Sequence, residues 1–301
     1  MSNGPRKQRS LVERYGPVVI VAVIVGAAVA PVAWSQSTGS DGTVVVIQVD
    51  ETITASSSQD IAAELQRARQ NGSIKAVVLS IDSPGGSAAA SEQLYLAVRK
   101  TAEQMPVVAS VGGVGASGAY YAMMPASSIY VKPASLVGSV GVRGSEPFSG
   151  DIPGSITTGP DKNGGFTADE ARAQIETLRQ AFIGTVFQHR GDDLSLSREE
   201  VAYAKVYTGA SAVQNGMADE IGTTGAAIEE AASLAGLENY DVARKNPASF
   251  GFFFFSAGSG EDKKVVIRED PFDYAGVEAP QYLMIYGELE SHQEVIANES
   301  R

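Results

Sequence analysis

The stretch GGVGASGAYYAMM, residues 112–124, places one serine, Ser117, on a backbone almost bare of side chains. Two kinds of chemistry fit it. As a helix cap, its hydroxyl would accept a hydrogen bond from a backbone N–H two or three residues on. As a nucleophile, it would stand exposed at a helix start, with glycine amides around it to hold an oxyanion. A second glycine-bearing segment, DSPGGS at 82–87, follows the apolar run AVVLSI, just as GGVGASGA follows VVAS. Alone it reads as a plain turn, because Pro-Gly-Gly is common loop punctuation. Two such turns after two strands put both on one sheet edge, where an active site is expected.

The elements that must carry these segments alternate. TVVVIQV (43–49) reads as a buried strand and IAAELQRARQNG (61–72) as an amphipathic helix ending near Gly72. KAVVLSI (75–81) is a strand, 87–104 a helix, PVVASVG (106–112) a strand, SGAYYAMMPA the start of a short helix and SSIYV (127–131) a strand. A long helix over about 168–189, shorter ones near 197–205 and 225–235, and the strand YDVAR follow. This rhythm implies an α/β fold with parallel strands, crossover helices and a ligand site at the strand carboxyl ends.

Composition narrows the chemistry. The 301 residues include no cysteine, which excludes disulfides, thiolate metal sites and a cysteine nucleophile. There are two histidines, His189 and His292, too few for a multi-histidine metal site. No metal or organic cofactor is implied. Of the net charge of −12, the first 14 residues contribute +3, which leaves −15 for the remainder. Such a surface repels phosphate backbones and argues against a nucleic-acid partner. High-salt adaptation and an ordinary acidic domain both fit the excess of Asp and Glu.

Residues 17–34, PVVIVAVIVGAAVAPVAW, carry no charge over 18 positions. At the helical rise this gives about 27 Å, close to a hydrocarbon core. The basic stretch 1–16 before it is expected to stay in the cytoplasm, sending the rest of the chain outside. AVA at 28–30 resembles a signal-peptide cleavage site, but Pro31 would hinder cleavage, so an uncleaved anchor is expected. Residues 35–42, SQSTGSDG, have linker composition. The main domain is expected over 43–245 and a C-terminal extension over 246–301. In that extension SFGFFFFSAG is too short to span a bilayer, YLMIYGELE reads as a strand and ESHQEVIANESR as a polar tail.

Three segments together, IDSPGGSAAASEQLY, PVVASVGGVGASGAYYAMMPASSIYVKPASLVGSVGV and YTGASAVQNGMADEIG, resemble the signal peptide peptidase A (protease IV) family of membrane-anchored serine proteases. The resemblance runs from about Val44 to Val242. It implies the Clp protease/crotonase-like fold, a spiral of repeated ββα units. It implies Ser117 as nucleophile, with the N–H groups of Gly86 and Gly118 forming the oxyanion hole. The family's general base is a lysine. Between Ser117 and Glu200 the chain offers Lys132, at a strand end before Pro133, and Lys162, in TTGPDKNGG. Lys162 matches the family's Gly-x-x-Lys position, and Ser139 in VGSVGV matches a serine that holds the lysine in relatives. A lysine base must be neutral part of the time near pH 7, which burial promotes and a nearby Asp161 would oppose. Read locally, GPDKNGG is an exposed loop; relatives pack this segment against a neighbouring subunit, so a homo-oligomeric ring is implied. Released signal peptides and other apolar, extended peptides are the implied substrates. One departure stands out: the usual Ser-Gly-Gly-Tyr-Tyr is Ser-Gly-Ala-Tyr-Tyr here, with Ala119 restricting the backbone.

Other readings compete. Ser117, an Asp and His292 have the chain order of an α/β-hydrolase triad, but GASGA lacks the second glycine of G-x-S-x-G and His292 sits in a polar stretch. His189 fits better as a dipole partner at a helix C-terminus. A catalytically inactive scaffold of the same fold remains open, and a crotonase-type enzyme acting on coenzyme A thioesters would need no serine at 117.

Overall fold

The computed structural model describes residues 40–144, 158–159, 167–246 and 282–285. Six strands form a parallel sheet. β1 (Gly42–Ile53) lies between β9 (Tyr240–Lys245) and β2 (Ile74–Ser87), and β3 (Val107–Ala116), β4 (Ser128–Val131) and β8 (Glu220–Ile221) follow in that order. Side chains alternate across β1 because successive residues of a strand face opposite ways. Val45, Ile47 and Val49 join one buried cluster, while Val44 and Val46 join another with Ala76, Val78 and Val108. The second cluster is closed by Ala227, Ile228, Ala231 and Ala232 of α7 (Thr224–Leu234). The first is covered by α1 (Ala55–Gln70), α2 (Ala88–Ala102), α3 (Gly118–Met123) and α4 (Ala168–Arg190). A parallel sheet buried on both faces explains the nearly continuous apolar runs in its strands.

Helix starts follow their side chains. Thr54 caps α1 by accepting from Ser57 N–H, Ser87 caps α2 by accepting from Ala90 N–H, and Thr167 with Glu170 forms a capping box on α4.

The sequence reading needs correction at the strand ends. DSPGGS is not a turn. β2 continues through it to Ser87, and β3 continues through the glycine run to Ala116. There both strands change partners. Val114–Ala116 of β3 pair with β5 (Leu136–Gly138), which is antiparallel to β7 (Val206–Thr208). Gly85–Ser87 of β2 pair antiparallel with β10 (Tyr282–Ile285), which pairs in turn with β6 (Arg143–Gly144). The switch occurs at irregularities in both ladders, between Asp50 and Thr52 of β1 and between Ile81 and Ser83 of β2. Such bulges bend a strand and raise its local twist.

The remaining helices are short: α5 (Arg198–Ala202) and α6 (Gly209–Asn215). The basic stretch, the apolar segment 17–34 and most of the linker lie outside the described residues, as does most of the extension. Among the described residues no helix is long and apolar enough to cross a membrane.

Candidate active site

Ser117 sits where β3 ends and α3 begins, and it does not behave as a cap. Its backbone is at φ 52° and ψ −121°, and its hydroxyl makes no capping hydrogen bond to α3. The caps at Thr54, Ser87 and Thr167 all lie in the ordinary extended region and do bond the helix. A positive φ at a residue with a Cβ costs about 1–3 kcal/mol and persists where the surroundings over-determine it. Here they do. Ser117 N–H donates to Gly138 carbonyl at 2.8 Å, Ser117 carbonyl accepts from Tyr121 N–H at 2.9 Å, and the residue is 1% exposed, buried where the nucleophile reading expected it to stand exposed.

The paired tyrosines after the serine pull α3 in two directions. The Tyr120 hydroxyl donates to Met217 carbonyl at 2.7 Å, and burial pushes its pKa up. The Tyr121 ring stands edge-on to Phe182 of α4 at 5.1 Å and packs on Tyr95 of α2 at 4.9 Å. α3 is thus pinned within two residues to α2, to α4 and to the bend at Met217. Ala119 is buried inside this helix, where alanine is the most favourable residue, so replacing the family's glycine imposes no strain.

The Gly86 segment runs beside this corner. Ser83 of β2 lies opposite Gly115 of β3, two residues before the serine. A Cβ at Gly86 would collide with the Ile53 carbonyl of β1, so only glycine fits the ladder there. Gly85 carries φ 103°. Ser139 follows Gly138, the acceptor of Ser117 N–H; it has φ 53°, is half-buried, and its N–H donates to Lys205 carbonyl at 2.8 Å. Ser117 and Ser139 are thus joined through Gly138, and Gly86 lies on the neighbouring strand β2, three residues beyond the Ser83–Gly115 pair. Lys162 and its neighbour Asp161 lie outside the described residues, as does His292. Lys132 is exposed at the end of β4, as a solvated strand end should be.

Two residues of this edge were hidden in what looked like turn punctuation. Ser83 is fully buried; its hydroxyl donates to the Glu51 carbonyl and accepts from Gly85 N–H at 3.2 Å. Asp82 accepts from Val114 N–H at 2.9 Å, tying β2 to β3. A serine bonding the backbone two residues ahead is a recognisable local pattern, so Ser83 had a signal in the sequence. Asp82 had none, because its partner is 32 residues away. Across from Asp82, burial first and then the charges of Asp82 and Glu51 raise the Asp50 carboxyl above its ordinary value.

His189 lies in the last turn of α4, at the helix C-terminus as expected. Its Nε2 bonds the Tyr95 hydroxyl at 3.0 Å, and burial, followed by Arg99 and Arg190, lowers its pKa. These influences favour the neutral ring. Among the described residues no group of three or more His, Asp or Glu is placed to hold a metal ion.

The profile of peptidase family S49 matches residues 99–152 and 167–238. A Methanocaldococcus jannaschii protein that carries a protease name is 31% identical over 205 residues, spanning 62% of this chain and 66% of that one. Protease 4 of Salmonella typhi is 32% identical over 60% of this chain and 32% of its own length. The chloroplastic serine protease SPPA of Arabidopsis thaliana is 30% identical over 60% of this chain and 29% of its own. The chain thus spans about a third of the length of the last two.

Proposed function

This chain belongs to peptidase family S49, and from that premise we propose that it is a serine endopeptidase working through a Ser117–Lys162 dyad. The observation that carries the reading is the Ser117 backbone, held at positive φ with its hydroxyl released from capping. That strain has no return in helix stability. It has a use if Oγ must be presented to a substrate.

In the reaction, the neutral Lys162 amine takes the Ser117 proton as Oγ attacks the scissile carbonyl carbon. The carbonyl oxygen becomes an oxyanion, which the N–H groups of Gly86 and Gly118 stabilise. The C–N bond then breaks, and the lysine returns its proton to the leaving amine. Water repeats the sequence on the acyl-enzyme and frees the carboxylic acid. Ser139 holds the lysine amine in place.

The strand-built edge suits an extended peptide, and the substrates we assign are released signal peptides and other apolar segments near a membrane. The same proposal places 17–34 as a single-pass anchor at the cell membrane, with the cytoplasmic tail inside and the catalytic domain outside. It includes assembly into a homo-oligomeric ring and the ββα spiral of the Clp protease/crotonase superfamily.

Hydrolysis of an apolar fluorogenic peptide by the full chain in detergent tests the dyad. Ser117→Ala and Lys162→Ala are each expected to lower kcat/KM by at least about 1,000-fold, while His292→Ala leaves it unchanged. Hydrolysis that survives Lys162→Ala would eliminate the lysine mechanism.

A further inference from the structure

β2 and β3 run side by side in even register from Val77 opposite Val107 to Ile81 opposite Val111, then lose step and regain it at Ser83 opposite Gly115. Between those pairs β2 has one residue, Asp82, where β3 has three, Gly112, Gly113 and Val114. Surplus residues in a bulge leave main-chain groups without a ladder partner. Here a side chain stands in. Asp82 Oδ1 accepts from Val114 N–H at 2.9 Å. The glycines make room for it: a Cβ at Gly113 would stand 2.8 Å from Oδ1 and 3.2 Å from Oδ2. At Val114 the strand takes its new partner, with Val114 opposite Leu136 and Ala116 opposite Gly138, and Ser117 follows. The arrangement is held against a penalty. Asp50 lies beside Asp82 across the β1–β2 ladder, and like charges in register are unfavourable.

We propose that Asp82 is a positioning residue for the nucleophile: its carboxylate fixes the shape of the β3 bulge and so sets where Ser117 stands relative to Gly86. The inference rests on the endopeptidase reading and deepens it. Asp82 is tied to both sides of the reaction. Val114, which it bonds, comes three residues before Ser117, and Gly86 comes four residues after Asp82 on the same strand. The hydrogen bond is exposed, so water can replace the carboxylate as acceptor without unfolding the strand. What water does not do is hold the bulge in one shape. The position asks for an acceptor oxygen rather than for charge, because the group to be satisfied is a backbone N–H. A misplacement of about 1 Å at a reacting atom can lower a rate on the order of 100-fold.

The test is steady-state hydrolysis of an apolar fluorogenic peptide by the full chain, with a urea titration of each form. Asp82→Ala is expected to lower kcat at least about tenfold, with KM and the urea midpoint unchanged. Asp82→Asn, which keeps an acceptor oxygen at the same reach, is expected to restore kcat. Gly113 lies outside the left-handed region, so alanine strains no backbone there, and its Cβ would drive the carboxylate away. Gly113→Ala is therefore expected to lower kcat as Asp82→Ala does, and the two changes together to lower it no further. Wild-type kcat in Asp82→Ala, a loss that Asp82→Asn does not restore, or losses that multiply in the double form would overturn this inference alone. A fall in kcat that tracks a fall in the urea midpoint would overturn it too, making Asp82 merely structural. Absence of Ser117-dependent hydrolysis from the wild type would overturn the endopeptidase reading along with it.

Discussion

Two regions of the molecule hold their shape by opposite means. At the strand ends around Ser117, the backbone is bent and strained. Glu51, Ser117 and Ser139 all have positive φ despite carrying side chains, and two ladders are irregular. Some 70 residues later, where α4 meets β8, a charged side chain is buried and fully satisfied. Arg190 is 6% exposed; its guanidinium donates to Gly216 carbonyl at 2.7 Å and to both carboxylate oxygens of Asp219, at 2.7 and 3.1 Å. Asp219 also accepts from Ile129 N–H at 2.6 Å, which ties the pair to β4. The Tyr120 hydroxyl bonds Met217 carbonyl two residues before Asp219, so this clamp reaches the helix that begins at Ser117. The comparison shows where rigidity comes from. The strained edge has few side-chain bonds of its own, and α3 passes it the stiffness of the clamp. Strain at a functional corner persists only where the surroundings over-determine it.

Substitutions can break or sharpen this contrast. The largest effect is expected at Gly86→Ala, where the new Cβ would push the strand off the Ile53 carbonyl and misplace an oxyanion donor. Peptidase kcat should fall about 100- to 1,000-fold, and the collision with backbone should also lower the unfolding free energy by about 1–3 kcal/mol in a urea titration. A large stability loss with normal kcat would mean that the edge is scaffold and not machinery. Arg190→Ala should act on stability alone. It leaves the Asp219 carboxylate mostly buried without its partner, and unfolding free energy should drop by about 3 kcal/mol, read from the urea midpoint. Ser83→Ala tests the edge more gently. It frees Gly85 N–H and the Glu51 carbonyl, at a cost of about 1–3 kcal/mol for such buried groups. We expect kcat to fall about tenfold while KM stays constant; a change in KM alone would place Ser83 in substrate binding instead.

The smallest effect is electrostatic. The folded-state pKa of Asp50 is raised by burial and by the charges of Asp82 and Glu51. Folding therefore takes up a proton there. This favours the folded state below the ordinary Asp value and turns against it as pH rises through the folded pKa. Asp50→Asn is expected to raise Tm at pH 7 by no more than about 2 °C, because the group is exposed and screened. At pH 3 it should change nothing. A rise at pH 3 instead would show that packing, not charge, is responsible.

How much of this was legible in the residues depended on the range of the interaction. The long strands and helices announce themselves by apolar runs and periodicity; α2, α4 and α7 lie within two residues of where those signals put them, whereas α1 begins at Ala55, six residues before its expected start. β5 to β8 are two or three residues long, too short to show a period, and α6 is a single short helix after Thr208. DSPGGS was misread because Pro and Gly usually end a strand; here β1 and β10 supply partners that continue it. For Ser117, the bare glycine-rich stretch raised both a cap and a nucleophile, and composition could not choose. The backbone angle argues against the cap; the nucleophile is the reading proposed above. The Arg190–Asp219 pair left no local mark, since its two members are 29 residues apart in chain order.

The central claim is that Ser117 is the reactive alcohol. Its most direct test is to treat the full chain with a fluorophosphonate and locate the adduct by peptide mass spectrometry. The account predicts a single adduct on the peptide containing Ser117, with none formed by Ser117→Ala. An adduct on another serine, or peptide hydrolysis that continues at the wild-type rate in Ser117→Ala, would contradict it.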